Sequence, residues 1–396
     1  MAGGQDEAQL FGGVHGTVTR EQAAAPGWRF MAGFRPACPF LENVLFLEGM
    51  DYSSNMYAIS GDYLSIVDPA NDYTAFIQLF AMGFVPADIR KVALTHGHID
   101  HAMGAVELLQ AYPSLRGNLE IIMHEAGPAE LKELLTELGG RLSLVSGGEV
   151  VDLSGVPFRV LPTPGHTADG ICFYHEESGT LLSGDTVLAY AVSAPDPAAG
   201  GSLPDYLGSL RLIMGYPVGP VLTGHDDPAF GREVVAATYE GVVKRMMGPR
   251  VSWNTAAMQF VQWGSIGDAL YCCERWLEEN AGDEGMLELK GMCLNDLGRF
   301  KEAGEFFRGR PRSSSALVGL GYALMGLSRF DESLAALDAA LALDPGREEA
   351  LVYKGLSLYL AGRGDEAMDI GPFQSALADR VKRELLLKVQ GGEAVR

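Results

Sequence analysis

Up to about residue 230, short apolar runs alternate with glycine- and proline-rich punctuation: MYAISGDYLSIVDPAND, KVALTHGH, LEIIMHEAG, FRVLPTPGH, ICFYHEESGTLLSGD and GPVLTGHDD. Short runs of β-branched and bulky residues closed by turn residues predict strands. Between them, apolar positions at helical spacing predict helices over residues 102–112, 128–138 and 206–214. This is the patterning of an α/β domain rich in strands. After about residue 250 the pattern becomes helical throughout. The chain therefore divides into a polar N-terminal arm over residues 1–30, an α/β domain over 31–248 and an all-α domain over 249–396.

The helical part repeats itself. GSIGDA at Gly264, GRFKEA at Gly298, LSRFDES around Ser328 and GRGDEA at Gly362 are one phrase, recurring at steps of 34, 30 and 34 residues. Gly291, Gly321 and Gly355 stand seven positions upstream of the last three, where a small residue lets paired helices approach closely. Pro345 closes the helical run ALDAALALDP. A 34-residue helix–turn–helix period resembles the tetratricopeptide repeat, in three to four units, with one unit four residues short. That resemblance implies a stack whose concave face takes a protein partner or another copy of the chain.

The chemistry concentrates elsewhere. Three of the eight histidines, His96, His98 and His101, fall within six residues, with Asp100 among them. Three further segments share the syntax of KVALTHGH: FRVLPTPGH ending at His166, TLLSGD ending at Asp185 and GPVLTGH ending at His225. Each is a strand-like run followed at once by a turn residue and a metal-ligand type. Strands lying side by side would deliver all four groups to one sheet edge. His96 and His98, two apart in an extended segment, face the same way. Asp100 and His101 open the next helix, displaced toward a neighbouring position. Imidazoles with carboxylates suit zinc or iron(II), and the carboxylate adds the charge that a second ion needs.

The string His96-x-His98-x-Asp100-His101, followed in order by His166, Asp185 and His225, resembles the HxHxDH signature and downstream ligands of the metallo-β-lactamase superfamily. The resemblance runs over roughly residues 40–245 and implies an αβ/βα sandwich with metals at the sheet edge. It assigns His96, His98 and His166 to one ion, Asp100, His101 and His225 to a second, and Asp185 to a bridge between them. The GDT and PGHT contexts are similar to the glyoxalase II and lactonase branch. True β-lactamases carry a cysteine at the position matching Asp185.

The implied cofactors are two divalent ions, zinc first, with iron or manganese as alternatives. A hydroxide bridging them would attack the carbonyl of an ester, thioester or lactone. Asp100 and Asp185, as the catalytic carboxylates, would tune charge and pass the proton. Three other readings stay open: an iron-dependent persulfide dioxygenase, a phosphodiesterase, and a non-catalytic metal-binding scaffold built around the repeats. A flavodiiron protein is disfavoured, since that type places a carboxylate where His98 stands. Glutathione recognition of the glyoxalase II kind does not carry over, because the C-terminal part is built of repeats. Around the core set, Thr95 and Thr167 are expected to support the ligand loops, and Tyr190 to pack in the pocket wall or donate to a leaving group. His124 is expected at the rim or in a structural role, His175 in solvent, and His15 in the polar arm. The glycine- and proline-rich segment 193–206 is expected to border the pocket.

Net charge narrows the partners. Residues 1–250 carry 29 acids and 14 bases, and residues 251–396 carry 22 and 16, giving −15 and −6 and a total of −21. Such acidity opposes nucleic-acid binding, so a small-molecule substrate is expected and no nucleic acid. The sequence has neither an apolar run of about 18–20 residues nor a basic, apolar-cored leader, which points to a cytoplasmic protein with no membrane association. Five scattered cysteines without CxxC spacing indicate neither a disulfide framework nor a thiolate zinc site, and Cys172 in ICFY reads as core.

Overall fold

The structure is a computed structural model that describes residues 27–31, 38–49, 52–71, 73–310 and 313–390. Residues 1–26 of the expected arm, His15 among them, lie outside the described residues. The arm's last residues are part of the fold: Trp28–Phe30 forms strand β1, and Trp28 is buried with its indole N–H donating to the Ala75 carbonyl at 3.2 Å. Met31 is buried too, and β1 pairs antiparallel with the strand that follows, Val44–Leu47. The chain divides into two compact units after Pro249.

In the first unit one sheet runs in sequence order from β1 through β2 (Val44–Leu47), β3 (Met56–Ser60), β4 (Leu64–Val67), β5 (Ile89–Ala93) and β6 (Glu120–His124) to β7 (Arg141–Val145). The strands are antiparallel up to β4 and parallel from β4 to β7. Alternation sorts their side chains into two cores. Leu45, Ala58, Ile66, Val92 and Ile121 pack outward beneath helices α1 (Thr74–Ala81), α2 (Ile99–Ala111) and α3 (Ala129–Glu137). Phe46, Tyr57, Ile59, Val67, Ala93 and Ile122 pack inward. They meet Phe158, Val160, Ile171, Phe173, Leu182 and Leu222 of the second sheet. Both faces of these strands are covered, which is why they read as unbroken apolar runs.

The second sheet contains β8 (Val150–Leu153), β9 (Val156–Pro162), β10 (Ile171–His175), β11 (Thr180–Gly184), β12 (Pro220–Thr223) and β13 (Ala229–Phe230), in spatial order 13-12-11-10-9-8. Strand β10 is antiparallel to both β9 and β11, and β12 is parallel to β11. Hence β9, β11 and β12 run the same way, and His166, Asp185 and His225 follow their ends at one edge. Helix α4 (Leu203–Met214) crosses nearby, with Ser209 Oγ donating to the Pro164 carbonyl at 2.6 Å, and α5 (Arg232–Met247) follows β13. Two sheets with helices outside them make the αβ/βα sandwich.

The second unit is helical: α6 (Trp253–Gln262), α7 (Ile266–Glu279), α8 (Glu284–Asp296), α9 (Phe300–Arg308), α10 (Ser314–Gly326), α11 (Phe330–Leu343), α12 (Glu348–Leu360), α13 (Gly364–Met368) and α14 (Gly371–Gln390). The repeated phrase has a backbone meaning. Its first residue is left-handed every time, at Gly264 (φ 75°), Gly298 (φ 72°), Ser328 (φ 60°) and Gly362 (φ 80°), and a new helix begins two residues later. The arginine next in line pairs with a glutamate three residues on, Arg299 with Glu302, Arg329 with Glu332 and Arg363 with Glu366, at 2.5–2.8 Å. These exposed pairs fix geometry more than they stabilise. The upstream glycines mark close approach: a Cβ would lie 2.2 Å from Phe307 at Gly291, 2.6 Å from Leu337 at Gly321 and 2.4 Å from Phe373 at Gly355. The four-residue shortfall falls on α9, which has 9 residues where α7 and α11 each have 14, offset by one extra residue in the connection that follows it.

Ser328 is the exception to the glycine rule, and it is exposed. A left-handed non-glycine residue costs roughly 1–2 kcal/mol, of which glycine's extra unfolded-state entropy returns part. Ser328→Gly should therefore stabilise the helical unit by about 0.5–1 kcal/mol. The check is urea denaturation followed by helical circular dichroism, and a lowered midpoint would count against the assignment.

Candidate metal centre

The edge reached by β4, β5, β9, β11 and β12 collects the chemistry. After β5 the chain passes through Thr95 and His96, and His98 stands extended at φ −64°, ψ 149° before helix α2 begins at Ile99. That places Asp100 and His101 in the first turn of α2. His96, His98 and His166 form one group, His96, His101 and Asp185 a second, and Asp100, His101 and His225 a third, each with its ligand atoms within 4.8 Å of one another. All seven residues expected to act together are therefore in one place.

Four of the five imidazoles are oriented by a bond made away from the cluster. His101 Nδ1–H donates to Asp68 Oδ2 at 3.0 Å, which leaves Nε2 facing inward. His98 is reversed: its Nε2–H donates to Asp196 Oδ2 at 3.1 Å, so Nδ1 faces inward. His166 Nδ1–H donates to the Ala194 carbonyl at 2.6 Å. Thr95 Oγ1 donates to Asp68 Oδ2 at 2.7 Å, so it accepts from His96 Nδ1–H at 3.2 Å. A second nitrogen tied to a carboxylate or carbonyl is the usual partner of a metal-ligating histidine.

The inward atoms are spaced for an ion. His98 Nδ1 lies 3.1 Å from both His96 Nε2 and His166 Nε2. Three nitrogens held tetrahedrally at about 2.0–2.1 Å from zinc would stand roughly 3.3 Å apart. Asp185 Oδ1 is 3.4 Å from His101 Nε2 and 3.6 Å from His225 Nε2, while its Oδ2 is 3.6 Å from His166 Nε2. Asp185 therefore touches both groups. Asp100 Oδ2 lies 3.3 Å from His225 Nε2 and 3.7 Å from His101 Nε2. Two buried atoms, His101 Nε2 and Asp185 Oδ1, have no hydrogen-bond partner. Such orphans are costly in a finished interior, and a cation between them would satisfy both. The backbone has been cleared for this approach, since a Cβ at Gly224 would lie 2.4 Å from Asp185 Oδ1.

The titration behaviour agrees with the geometry. Burial, then the His101 charge, hold His96 well below the ordinary histidine value, and burial also lowers His166. Both shifts favour the neutral imidazole, the form that can bind a metal. Burial opposes protonation of His101, but Asp185 and Asp68 outweigh it and raise the group well above its ordinary value. Burial would raise Asp185 as well, yet His101, then His96 and His225, hold it far below the carboxylate range. Asp100 is lowered, against burial, by its bond to His225 and by the His101 charge.

Sequence reasoning missed Asp68 and Asp196. Asp68 ends the run SIVD, in the same strand-then-ligand syntax as the other segments, so its signal was present. Asp196 had a weaker one, its place in the loop expected to border the pocket. Among the remaining residues, Thr95 supports the loop as expected, through Asp68. Thr167 is buried, its Oγ1 without a partner. Tyr190 is 79% exposed and packs in no wall. His124 accepts from the Ala126 N–H at 3.1 Å, a local structural contact. The expectation that His175 is solvated is overturned: it is buried at the end of β10, 4.7 Å from the Phe40 ring centroid, and bonds Ser178 Oγ at 2.7 Å. The Phe40 and Phe158 rings pack against it, a contact no local pattern announces. Cys172 is core, and burial pushes its thiol up to about 11.

Comparison with known proteins agrees with this architecture. Residues 49–225 match the family model of the metallo-beta-lactamase superfamily, and residues 318–377 match that of the tetratricopeptide repeat. The chain thus carries a metallo-β-lactamase superfamily domain followed by tetratricopeptide repeats. It is 31% identical over 135 residues to an atrochrysone carboxyl ACP thioesterase of Aspergillus fumigatus, covering 33% of this chain and 38% of that one. It is 30% identical over 151 residues to the thioesterase pkgB of Emericella nidulans, covering 38% of each. The chain thus spans under two fifths of the length of these relatives. A solved metallo-beta-lactamase family protein of Thermus thermophilus aligns with a TM-score of 0.41 at 21% identity, over 60% of this chain and 93% of that one. No helix among the described residues is long and apolar enough to cross a membrane.

Two measurements follow. Asp68→Asn should weaken divalent-ion affinity about 10–100-fold while the fold is kept, because it loosens His101 and Thr95 together. Chelator competition reads this, and unchanged affinity would remove Asp68 from the centre. Because Asp185 and Asp68 raise His101 well above its ordinary value, ion uptake should release a proton, and apparent affinity should rise with pH. Proton release into weakly buffered solution checks the sign.

Proposed function

We propose that residues 31–248 catalyse metal-dependent hydrolysis of a carbonyl thioester. The observation that supports this most is the outward anchoring of four imidazoles, which leaves inward nitrogens around the orphaned His101 Nε2 and Asp185 Oδ1. His96, His98 and His166 would hold one divalent ion, Asp100, His101 and His225 the other, with Asp185 between them. Ions so held supply Lewis acidity toward a carbonyl and a nucleophilic water at neutral pH. The thioester is chosen among acyl compounds because the two relatives above are named as thioesterases, one of them for a carrier-protein substrate.

The chain's own groups divide the remaining work. Asp100, half-buried and ionised, is the carboxylate that would take the proton of the attacking water. Water oxygen joins the acyl carbon, the C–S bond breaks, and the proton passes to the departing sulfur. Asp68 and Asp196 keep His101 and His98 from turning. Ile99, 69% exposed between His98 and Asp100, offers an apolar surface beside the site for the acyl group.

The test begins with protein purified without added metal, its ion content measured, and a panel of acyl thioesters, esters and lactones. Thioester turnover with about two ions per chain is expected. Asp100→Ala and Asp185→Ala should each reduce it at least about 100-fold. Full turnover in both variants, or two bound ions with no turnover of any acyl substrate, would overturn the proposal.

A further inference from the structure

A cavity of about 100 Å³ lies within the helical unit between α8, α10 and α12. It is smaller than the roughly 300–1,000 Å³ of pockets that enclose small molecules, so its occupant is the size of a side-chain head. One wall is Asn295, 4% exposed. Its Nδ2 donates to the Gly319 carbonyl at 3.0 Å, but its Oδ1 is buried without a partner. A buried acceptor left unpaired costs free energy that an N–H donor would recover.

The surroundings specify the donor's charge. Three carboxylates, Glu288, Asp296 and Glu349, line the cavity against one guanidinium, Arg347. Arg347 is already engaged: it lies 3.0 Å from Glu349 and 3.9 Å from Glu288, and donates to Ser315 Oγ at 2.8 Å. Asp296 has no ion-pair or hydrogen-bond partner among the described residues. The rings of Tyr322 and Tyr353 stand with centroids 4.8 Å apart and planes at 54°, forming an aromatic corner. An unpaired carboxylate, an orphaned amide oxygen and two electron-rich ring faces form a receptor for an organic cation. An anionic group would meet an excess of negative charge.

We propose that this cavity receives the ammonium or guanidinium head of a lysine or arginine from a partner protein's segment laid along the repeats. The side-chain-sized volume favours a residue on a chain, and the negative lining favours a basic one. The proposal is independent of the metal centre.

The test uses the full chain and an acetylated, amidated pentapeptide of four glycines around one lysine, with arginine and norleucine versions and free spermidine beside it. Binding is read by saturation-transfer NMR and shift titration. The lysine or arginine peptide should bind saturably and at least about tenfold more tightly than the norleucine peptide, because norleucine keeps the length and loses the charge. Asp296→Asn, nearly isosteric, and Tyr322→Leu should each weaken the basic peptide about fivefold or more. Glu305→Gln, outside the cavity, should leave it unchanged. Circular dichroism establishes that each variant is folded. Equal binding of the lysine and norleucine peptides, indifference to Asp296→Asn, or binding of spermidine with neither basic peptide would overturn the proposal.

Discussion

An imidazole has two nitrogens, and a bond from behind to one of them fixes which nitrogen faces the cluster. Asp68 carries the largest share of that restraint. Its carboxylate accepts from the Thr95 backbone N–H at 2.8 Å, from Thr95 Oγ1 at 2.7 Å and from His101 Nδ1–H at 3.0 Å. One side chain after β4 thereby locks the turn after β5 to the first turn of α2. Asp68 itself is left-handed, at φ 48°, a strained conformation that survives because three bonds over-determine it. Strain stored at such a point is characteristic of a working site.

The other restraints arrive from the second sheet by a different route. Asp196 and the Ala194 carbonyl belong to the segment after β11, and each reaches a different histidine, His98 and His166. That segment is pinned in return, since the Asp196 N–H donates to the His166 carbonyl at 2.7 Å. The two sheets are thus joined at the centre by side chains as well as by the core between them. Tyr206 adds a clamp, its hydroxyl lying 3.0 Å from the Asp185 carbonyl and 2.9 Å from that of Thr186. Charge is arranged to match, with neutral His96 and His166 on one side and the His101–Asp185 pair on the other.

The helical unit solves a simpler problem with one device repeated. A left-handed residue turns the chain, in three of four cases an arginine and a glutamate lock the start of the next helix, and a glycine upstream admits a bulky residue from a helix that follows. Because the device is local, it recurs with little change. The groove-lining side chains are free of it, which is how Asn295, Asp296 and the two tyrosines come to differ from their counterparts.

Much of this was legible in the residues. Apolar runs bounded by glycine and proline predicted the strands, because sheets covered on both faces need nothing else. The ligand types at the run ends predicted one clustered edge, and the 34-residue phrase predicted stacked helix pairs. What the sequence could not decide was which groups stand behind the ligands. Asp68 is separated from His101 by 33 residues and Asp196 from His98 by 98, and partners that distant are chosen by how strands and loops pack. The same holds for His175, buried by residues far upstream, and for the cavity at Asn295, which exists only once three helices stand together. Local pattern determines which elements form and which faces are apolar. Hydrogen bonds between distant side chains depend on distances of a few tenths of an ångström, and only the assembled fold sets those.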